Sequence, residues 1–183
     1  MTRRGDSAPP SVGSGTPRGV GLLGEGDRSA PSVTDQLVIR EARREDLPAI
    51  LTLLVADAIR EVPEAGDERN YVAAFEEIDA DPNALLLVGE RHGEVVATCQ
   101  LTFLRHLIYN GGLMAQIESV RTASHLRGQG VGTELMRWCI DEAHRRGAAR
   151  IQLTSNKQRV DAHRFYERLG FRSTHVGMKL YLG

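Results

Sequence analysis

The sequence predicts an α/β (α+β) domain whose mixed, mostly antiparallel central sheet is flanked by about four helices. One observation is a series of short runs with the alternating apolar pattern of strands, three of them consecutive and joined by turn signals. Another is the presence of helical-period segments both before and after those strands. A third is the glycine-rich turn Arg127–Gly132, which separates an apolar strand from an amphipathic helix. The predicted order is β, α, α, three antiparallel strands, α, β, α, β.

Composition limits the classes of function. The 183 residues, 41% of them hydrophobic, are enough for one domain with a real core. A net charge of −1 does not suggest a general nucleic-acid binder, and no apolar run is long enough to span a membrane. The two cysteines, Cys99 and Cys139, fall in a predicted strand and a predicted helix, which is typical of buried thiols in a reducing compartment. We therefore expect a cytoplasmic protein.

The chain divides into two parts of unlike composition. Residues 1–34 are rich in Gly, Ser, Pro and Arg and have few large apolar side chains. Such a segment buries too little apolar surface to offset the entropy lost on ordering, so we predict a disordered N-terminal extension. Residues 35–183 form the predicted folded domain.

The first half of the domain begins with a strand, Gln36–Arg40. A helix follows from Leu47 to Ala58, with acidic residues before it and Pro48 early enough to be tolerated in its first turn. Residues 60–69 carry Pro and Gly and are predicted as a loop. The helical spacing of Tyr71, Phe75 and Ile78 predicts a second helix that ends before Asp81.

Three antiparallel strands form the centre of the prediction. They are expected at Ala84–Glu90, Glu94–Leu104 and Leu113–Arg121. A tight turn is predicted at Arg91-His92-Gly93, and Asn110-Gly111-Gly112 is another turn signal.

The last third alternates helix and strand. A helix is predicted over Thr133–Arg146, closed by Gly147, with ion pairs Asp141–Arg145 and Glu142–Arg146 on its exposed face. The remaining predicted elements are a strand over Arg150–Thr154, a helix over Arg159–Leu169 that Gly170 stops, and terminal strand material from Phe171 to Leu182.

The glycine turn has the features of an anion-binding site. Glycines let the main chain approach a ligand, and the first N–H groups of the following helix have no acceptor within it. Their partial positive charge favours a phosphate or pyrophosphate. The turn comes too late in the chain for a dinucleotide fold, and it lacks the Gly-Lys-Ser/Thr of a P-loop. Glycines that only pack the helix on the strand explain the turn about as well when it is taken alone.

A second set of motif residues indicates which family this turn resembles. Arg127-x-x-Gly130-x-Gly132 resembles the Q/R-x-x-G-x-G/A motif of the GCN5-related N-acetyltransferase (GNAT) superfamily. That family's N…A…FY…GF segment is resembled by Asn156, Ala162, Phe165-Tyr166 and Gly170-Phe171. The resemblance covers about residues 36–182 and implies a GNAT-like fold, acetyl-CoA as cofactor and acetyl transfer to an amine. The closing segment is weakly similar to that of aminoalkylphosphonate and other small-amine N-acetyltransferases.

The resemblance also implies cofactor contacts. Pantetheine would lie beside the strand that precedes the turn, bonded to backbone groups of Ser119, Val120 and Arg121. The pyrophosphate would be held by the N–H groups of the turn and the helix start, which belong to Gly128, Gln129, Gly130, Val131, Gly132 and Thr133. Arg127 would add charge, although a surface arginine explains it equally. Asn156 would contact the cofactor or cap the last helix.

Two side chains are the candidate catalysts. Tyr166 is the candidate general acid, because the departing thiolate needs a proton and a tyrosine with a pKa near about 10 stays protonated at neutral pH. Glu118 is the candidate general base, which would accept the ammonium proton through water. Each residue also has a non-catalytic interpretation. Tyr166 would be a half-buried tyrosine that packs its ring, and Glu118 would be a solvated glutamate on a strand. Ser119 is less suited, because no base lies next to it in sequence.

The predicted function is acetyl-CoA-dependent N-acetylation of a small-molecule primary amine by direct attack on the thioester. A protein lysine or N-terminal acetyltransferase and a non-catalytic acetyl-CoA-binding module are the alternatives. Acceptor contacts are expected from about residues 59–75 and 104–111, with His106 a weak candidate. The histidines lack a metal-ligand spacing, so no metal is predicted. Family analogy alone allows a homodimer through the terminal strand.

Overall fold

A computed structural model describes residues 36–56 and 67–182. The helices and strands are β1 (Val38–Glu41), α1 (Leu47–Val55), α2 (Glu68–Ala80), β2 (Ala84–Arg91), β3 (Glu94–Arg105), the one-turn α3 (Ile108–Gly111), β4 (Leu113–Thr122), α4 (Val131–Arg145), β5 (Ala148–Leu153) and α5 (Val160–Arg168). Apart from the one-turn α3, which was not predicted, their order confirms the predicted one up to the last helix. The predicted N-terminal extension and most of the predicted loop 60–69 lie outside the described residues.

The five strands form one sheet in the order β1-β2-β3-β4-β5. Neighbours from β1 to β4 are antiparallel, whereas β4 and β5 are parallel because α4 crosses over between them. The predicted class, a mixed and mostly antiparallel sheet with helices on its faces, is therefore confirmed. The helices number five in the described part of the chain when the single turn α3 is included.

Side chains that alternate along the strands build an apolar cluster on each face of the sheet. Leu87 belongs to the larger cluster, which includes buried residues of α4 such as Leu135 and Met136. Val88 belongs to the smaller cluster, together with Ile50 of α1 and Phe75 of α2. The sheet thus separates an α4–α5 face from an α1–α2 face, and it is buried on both sides.

The helix α4 is tied down by an acidic side chain that points inward. Glu142 is buried, and its carboxylate accepts hydrogen bonds from Arg145 at 2.6 and 2.7 Å and from Arg146 at 2.7 Å. The predicted Glu142–Arg146 pair is confirmed, but Arg145 binds Glu142 at i−3 instead of the predicted Asp141 at i−4. The reason is that Glu142 lies on the inner edge of the helix, where one carboxylate can face both guanidinium groups. The predicted cap, Gly147, has a φ of +70°.

A second ion-pair network fastens the start of α1 to the sheet. Arg40 on β1 binds the buried carboxylate of Asp46 at 2.7 and 3.0 Å and that of Glu90 on β2 at 2.8 Å. Asp46 also accepts the backbone N–H of Arg43 at 2.7 Å. Hydrogen bonding from the Arg40 guanidinium lowers the pKa of Asp46 despite its burial.

The predicted terminal strand is wrong for the single chain. Residues 171–182 form no regular element, and from residue 172 onward all of them are exposed. A strand requires a neighbouring strand to satisfy its backbone groups, and within one chain this segment does not lie in the sheet. The alternating apolar pattern is present, but no strand of the described fold pairs with it.

Candidate active site

A bulge in β4 marks the site. The pair Gln100–Glu118 is followed by Thr98–Arg121, so two residues of β4, Ser119 and Val120, face one residue of β3. Ser119 adopts a φ of +56°, which is uncommon outside glycine. A bulge of this kind bends its strand and interrupts the ladder, and strained backbone is concentrated at functional sites.

The bulge coincides with a gap in the sheet. Pairing between β4 and β5 runs to Ile117–Leu153 and stops there, although β4 continues to Thr122. The backbone of residues 118–122 therefore extends past the last contact with β5. Ligands of α/β proteins bind outside the carboxyl ends of parallel strands, which is where this gap opens.

The glycine turn lies directly beyond the gap. Gly128 and Gly130 have φ values of +78° and +89°, so an L side chain would be strained at either position. A Cβ built on Gly128 meets nothing within 4 Å, which means that this side of the turn is open. A Cβ on Gly132 would lie 3.4 Å from the Thr122 hydroxyl and 3.5 Å from the Phe165 ring. Gly132 thus serves packing, while Gly128 and Gly130 shape an open turn.

The start of α4 faces the same opening. Its first intrahelical hydrogen bond runs from the Glu134 N–H to the Gly130 carbonyl at 3.0 Å. The N–H groups of Val131, Gly132 and Thr133 precede that bond and have no acceptor within the helix. Together with the positive end of the helix dipole, they form a site suited to a phosphate group.

Tyr166 on α5 lies at this end of the larger apolar cluster. Its ring packs against Phe165 at 5.1 Å and meets Phe171 edge-on at 6.0 Å, measured between ring centroids. Burial raises the pKa of the Tyr166 phenol, and the positive charges of Arg159 and Arg121 partly offset that rise. Arg121 follows the β4 bulge, so one of the charges that act on the Tyr166 phenol is carried by a residue at the gap.

Glu118 lies on the other face of the sheet. Ile117 is buried in the α4–α5 cluster, so alternation directs Glu118 toward the α1–α2 face, where its side chain is exposed. Its Oε1 accepts a long hydrogen bond from Gln116 Nε2 at 3.4 Å, and Gln116 Oε1 accepts one from Gln152 Nε2 on β5 at 2.7 Å. The predicted acid and base therefore belong to opposite faces of the sheet.

Sequence reasoning missed this glutamine pair. Gln116 and Gln152 lie opposite each other in the β4–β5 register, and that register depends on how two distant segments align. The only local signal is a polar residue at an alternate position in each strand. Their hydrogen bonds order the polar surface from which Glu118 projects.

Asn156 orders the loop before α5 but does not cap that helix. The N-cap position belongs to Arg159. The Asn156 side chain instead accepts the N–H of Gln158 at 2.9 Å, and its carbonyl lies 3.0 Å from His163 Nε2. The helix-capping alternative is therefore wrong, because the loop needs Asn156 for its own turn three residues earlier. The predicted cofactor contact stays a prediction.

Three other predicted residues lie apart from the reacting groups. Arg127 is exposed ahead of the turn, and Gln129 uses its side chain to bind the His125 carbonyl at 2.9 Å. His106 follows β3 at Arg105, which pairs with Leu113. At about 3.3 Å per residue, that end of β4 lies roughly 16 Å from Glu118. His106 is thus far from the gap along the strand.

The residues present fit acetyl-CoA as a cofactor. The turn at Gly128 and Gly130 is open, and beyond Ile117 the backbone of β4 no longer pairs with β5. The Val120 carbonyl accepts a hydrogen bond from the Arg121 guanidinium at 2.9 Å.

Residues 36–56 and 67–182 contain no group of three or more His, Cys, Asp or Glu side chains that could hold a metal ion. None of the helices described is long and apolar enough to cross a membrane.

Comparison with known proteins identifies the family. The sequence profile of the acetyltransferase (GNAT) family matches residues 40–171. The chain is 31% identical over 137 residues to an aminoalkylphosphonate N-acetyltransferase of Salmonella typhimurium, an alignment that covers 75% of this chain and 86% of that protein.

Solved structures agree with this fold. The crystal structure of a transcriptional regulator from Bacillus halodurans is 43% identical with a TM-score of 0.76, covering 80% of this chain and all of the other. The glucosamine-6-phosphate N-acetyltransferase of Arabidopsis thaliana has the same fold, with a TM-score of 0.71 at 22% identity, covering 81% of this chain and all of its own. The family match spans most of the chain, including the bulge, the glycine turn and Tyr166. The chain therefore belongs to the GNAT family of acetyltransferases.

Proposed function

We propose that this protein transfers the acetyl group of acetyl-CoA to the primary amine of a small molecule. The observation that carries the proposal is the gap between β4 and β5, which begins after the pair Ile117–Leu153 and leads to the open glycine turn. Tyr166, whose phenol is influenced by the charge of Arg121 just after the bulge, would stand beside that gap. An elongated cofactor with a phosphate-rich end and a reactive end matches both features.

The binding roles follow from the chain's own donors and acceptors. The pyrophosphate would be held by N–H groups between Gly128 and Thr133, with charge added by Arg127. The backbone of Ser119, Val120 and Arg121 would hydrogen-bond the pantetheine amides as a neighbouring strand does. For the Val120 carbonyl to serve, Arg121 gives up or shares the hydrogen bond it now makes. Acetyl-CoA, when bound, supplies an acyl thioester and a thiolate leaving group.

Tyr166 acts as the general acid in this proposal. Because burial raises its pKa, the phenol keeps its proton throughout the neutral range. Its Oη donates that proton to the leaving sulfur as the C–S bond breaks, and the second proton that the nitrogen loses as the amide forms restores the phenol. The rings of Phe165 and Phe171 hold the tyrosine in place, so the hydroxyl is oriented before the reaction.

Glu118 acts as the general base. An alkyl ammonium must lose a proton before its nitrogen can attack, and the exposed Glu118 carboxylate can accept it through a water molecule. The Gln152–Gln116–Glu118 hydrogen bonds keep that carboxylate at the α1–α2 side of the gap. The amine would therefore approach from the α1–α2 face, while the proton for the thiolate comes from the α4–α5 face.

The choice of a small amine draws on the Salmonella typhimurium relative, whose name gives it an aminoalkylphosphonate as acceptor. The Bacillus halodurans protein is named a transcriptional regulator, but a net charge of −1 gives this chain no general attraction for nucleic acid.

We also infer a cytoplasmic location, because the buried Cys99 and Cys139 remain free with their sulfurs only 3.6 Å apart. A homodimer stays a prediction, since nothing in this chemistry requires a second copy.

The test is release of free thiol from acetyl-CoA in the presence of amines. Purified protein should bind acetyl-CoA and release thiol with at least one member of a panel of aminoalkylphosphonates, amino sugars and simple alkylamines. A parallel panel of lysine-containing and free N-terminal peptides covers the protein-acetylating alternative. Turnover confined to peptides would contradict a small acceptor. Binding without turnover, unchanged in Tyr166→Phe and Glu118→Gln, would identify a sensing module instead.

A further inference from the structure

Arg150 of β5 lies on the same face of the sheet as Glu118. Its neighbours Ile151 and Leu153 pack against the larger apolar cluster on the α4–α5 face. Alternation along the strand therefore directs Arg150 toward the α1–α2 face. Arg150 is half-buried, yet none of the carboxylates that the structure describes forms an ion pair with its guanidinium. Because burying a charge without a counter-charge costs free energy, Arg150 is suited to pair with an anion from outside these residues.

The guanidinium of Arg150 is held in place by neutral groups. Its Nη1 donates to the Tyr109 hydroxyl at 3.2 Å, and its Nη2 donates to the Met114 sulfur at 3.3 Å. Its Cζ lies 5.2 Å from the centroid of the Tyr109 ring, a cation–π distance. Its Nε is buried without an acceptor among the described residues. Each terminal nitrogen keeps a further N–H to donate, so the oriented fork can bind a carboxylate, phosphate or phosphonate.

The one-turn α3 carries Tyr109 and packs closely on the sheet. Tyr109 and Asn110 both have a φ of +56°, which non-glycine residues rarely adopt. A Cβ at Gly112 would lie 3.0 Å from the Tyr109 carbonyl oxygen and 3.2 Å from the Ala149 Cβ, so the close approach requires glycine. Strained backbone is concentrated at ligand clamps and active sites. The structure thus accepts strain to keep a tyrosine that is 61% exposed against Arg150.

Glu118 and Arg150 lie at the two ends of one polar strip on this face. In the β4–β5 register Arg150 lies opposite Met114, which precedes Glu118 by four residues. At about 3.3 Å per residue that is roughly 13 Å along the strand, so the two charged heads are about 10–13 Å apart. The hydrogen-bonded Gln116 and Gln152 occupy the positions between them. The strip therefore has a negative end at the gap and a positive end away from it.

We propose that Arg150 binds an oxyanionic group at the far end of the acceptor whose amine reacts beside Glu118. This inference rests on the proposed function and names the acceptor class. The acceptor is an amine whose chain ends in a carboxylate, phosphate or phosphonate about 10 Å from the nitrogen. The Glu118 carboxylate attracts the ammonium end, while the Arg150 fork fixes the anionic end through charge-assisted hydrogen bonds. A simple alkylamine would use only one end of the strip.

The first experiment compares two arginine variants with a matched pair of amines. At about 1.2 Å per atom of an extended chain, 10 Å corresponds to about eight carbons, so the probes are 8-aminooctylphosphonate and octylamine. Thiol release gives kcat/KM for each, and the wild type should prefer the phosphonate. Arg150→Gln should lower the ratio of the two kcat/KM values at least tenfold. Arg105→Gln removes an equal charge at the same end of the sheet but on the α4–α5 face, and it should keep the ratio within about twofold. Equal ratios in the wild type and Arg150→Gln would overturn the inference and leave the acetyltransferase function intact.

The second experiment reverses the charge, so that a folding defect cannot imitate the expected result. Arg150→Glu should lower kcat/KM for 8-aminooctylphosphonate and raise it at least threefold for 1,8-diaminooctane, whose far end is cationic. A gain with the diamine requires a folded protein. A loss with both probes would contradict the anion site.

Calorimetric titration of 8-aminooctylphosphonate separates this inference from the proposed function. If no amine releases thiol, the proposed function fails, but the anion site still predicts that the wild type binds this probe at least tenfold more tightly than Arg150→Gln. Equal affinities, or no measurable binding by the wild type, would show that Arg150 does not hold the anion.

Discussion

The glycine turn can be tested by two substitutions that carry the same backbone strain. Gly128 has a φ of +78° and Gly147 a φ of +70°, and a Cβ at either position meets nothing within 4 Å. Alanine in the left-handed region costs about 1–2 kcal/mol at a single position. Gly128→Ala and Gly147→Ala should therefore lower the free energy of unfolding by similar amounts. Only Gly128 lies in the proposed phosphate cradle, which is the turn and helix start from Gly128 to Thr133. Gly147 caps the opposite end of α4.

Affinity for acetyl-CoA should separate the two variants. Alanine at 128 adds a methyl to the open side of the turn and shifts N–H donors away from the anion. We expect the dissociation constant to rise about tenfold or more, equivalent to at least roughly 1.4 kcal/mol. Gly147→Ala should stay within about twofold of the wild type, a difference near 0.4 kcal/mol.

The assay is calorimetric titration of acetyl-CoA into each variant, well below its unfolding temperature. Denaturant unfolding of both proteins verifies that the stability loss is shared. Equal affinities in the two variants would refute the cradle, since backbone strain alone would then explain Gly128. A large affinity loss in both would show that the effect comes from destabilisation.

Further predictions concern catalysis and stability. Tyr166→Phe should reduce kcat by about 10²–10⁴ while the acetyl-CoA dissociation constant changes less than about twofold, because the ring packing is kept and only the proton donor is lost; an unchanged kcat in steady-state assays would remove Tyr166 from the chemistry. The pKa of Glu142 falls from 4.5 to about 2 in the folded chain through its hydrogen bonds with Arg145 and then Arg146. Its carboxylate thus stabilises the fold above about pH 4.5, and this contribution is lost as the pH falls toward 2. Glu142→Gln should lower the free energy of unfolding by about 1–2 kcal/mol at pH 7, a value reduced for the solvent around Arg145, with the deficit shrinking by pH 3 in urea titrations; a pH-independent deficit would contradict this. Asp46→Ala should cost about 2–4 kcal/mol in the same titrations, since it leaves Arg40 without its main partner in a nearly buried network, and a loss below about 0.5 kcal/mol would contradict that account.

Features set by local pattern could be predicted from the sequence. The three central strands, the turns between them and the helices α2, α4 and α5 depend on periodicity and on glycines at positive φ, such as Gly93 and Gly147. These signals lie within a few residues of the element they define, so the chain shows them directly.

Features set by partners far along the chain could not be predicted in this way. The Ser119 bulge arises from a register difference between β3 and β4, and no glycine marks it. The Gln116–Gln152 hydrogen bond likewise depends on the β4–β5 alignment. The terminal segment shows the opposite case, because Val176 to Leu182 has the local pattern of a strand but lacks a neighbour in its own chain. Strand formation depends on pairing, which periodicity does not specify.

The central claim is that the gap beside the β4 bulge seats the thioester next to Tyr166. The most direct measurement is a crystal structure of the protein with acetyl-CoA, read for the distance between Tyr166 Oη and the thioester sulfur. We expect the pyrophosphate on the turn at Gly128–Gly132 and the sulfur within about 3.5 Å of the Tyr166 hydroxyl, a hydrogen-bonding distance. A sulfur more than roughly 6 Å from that hydroxyl, or a cofactor bound away from the gap, would contradict the account.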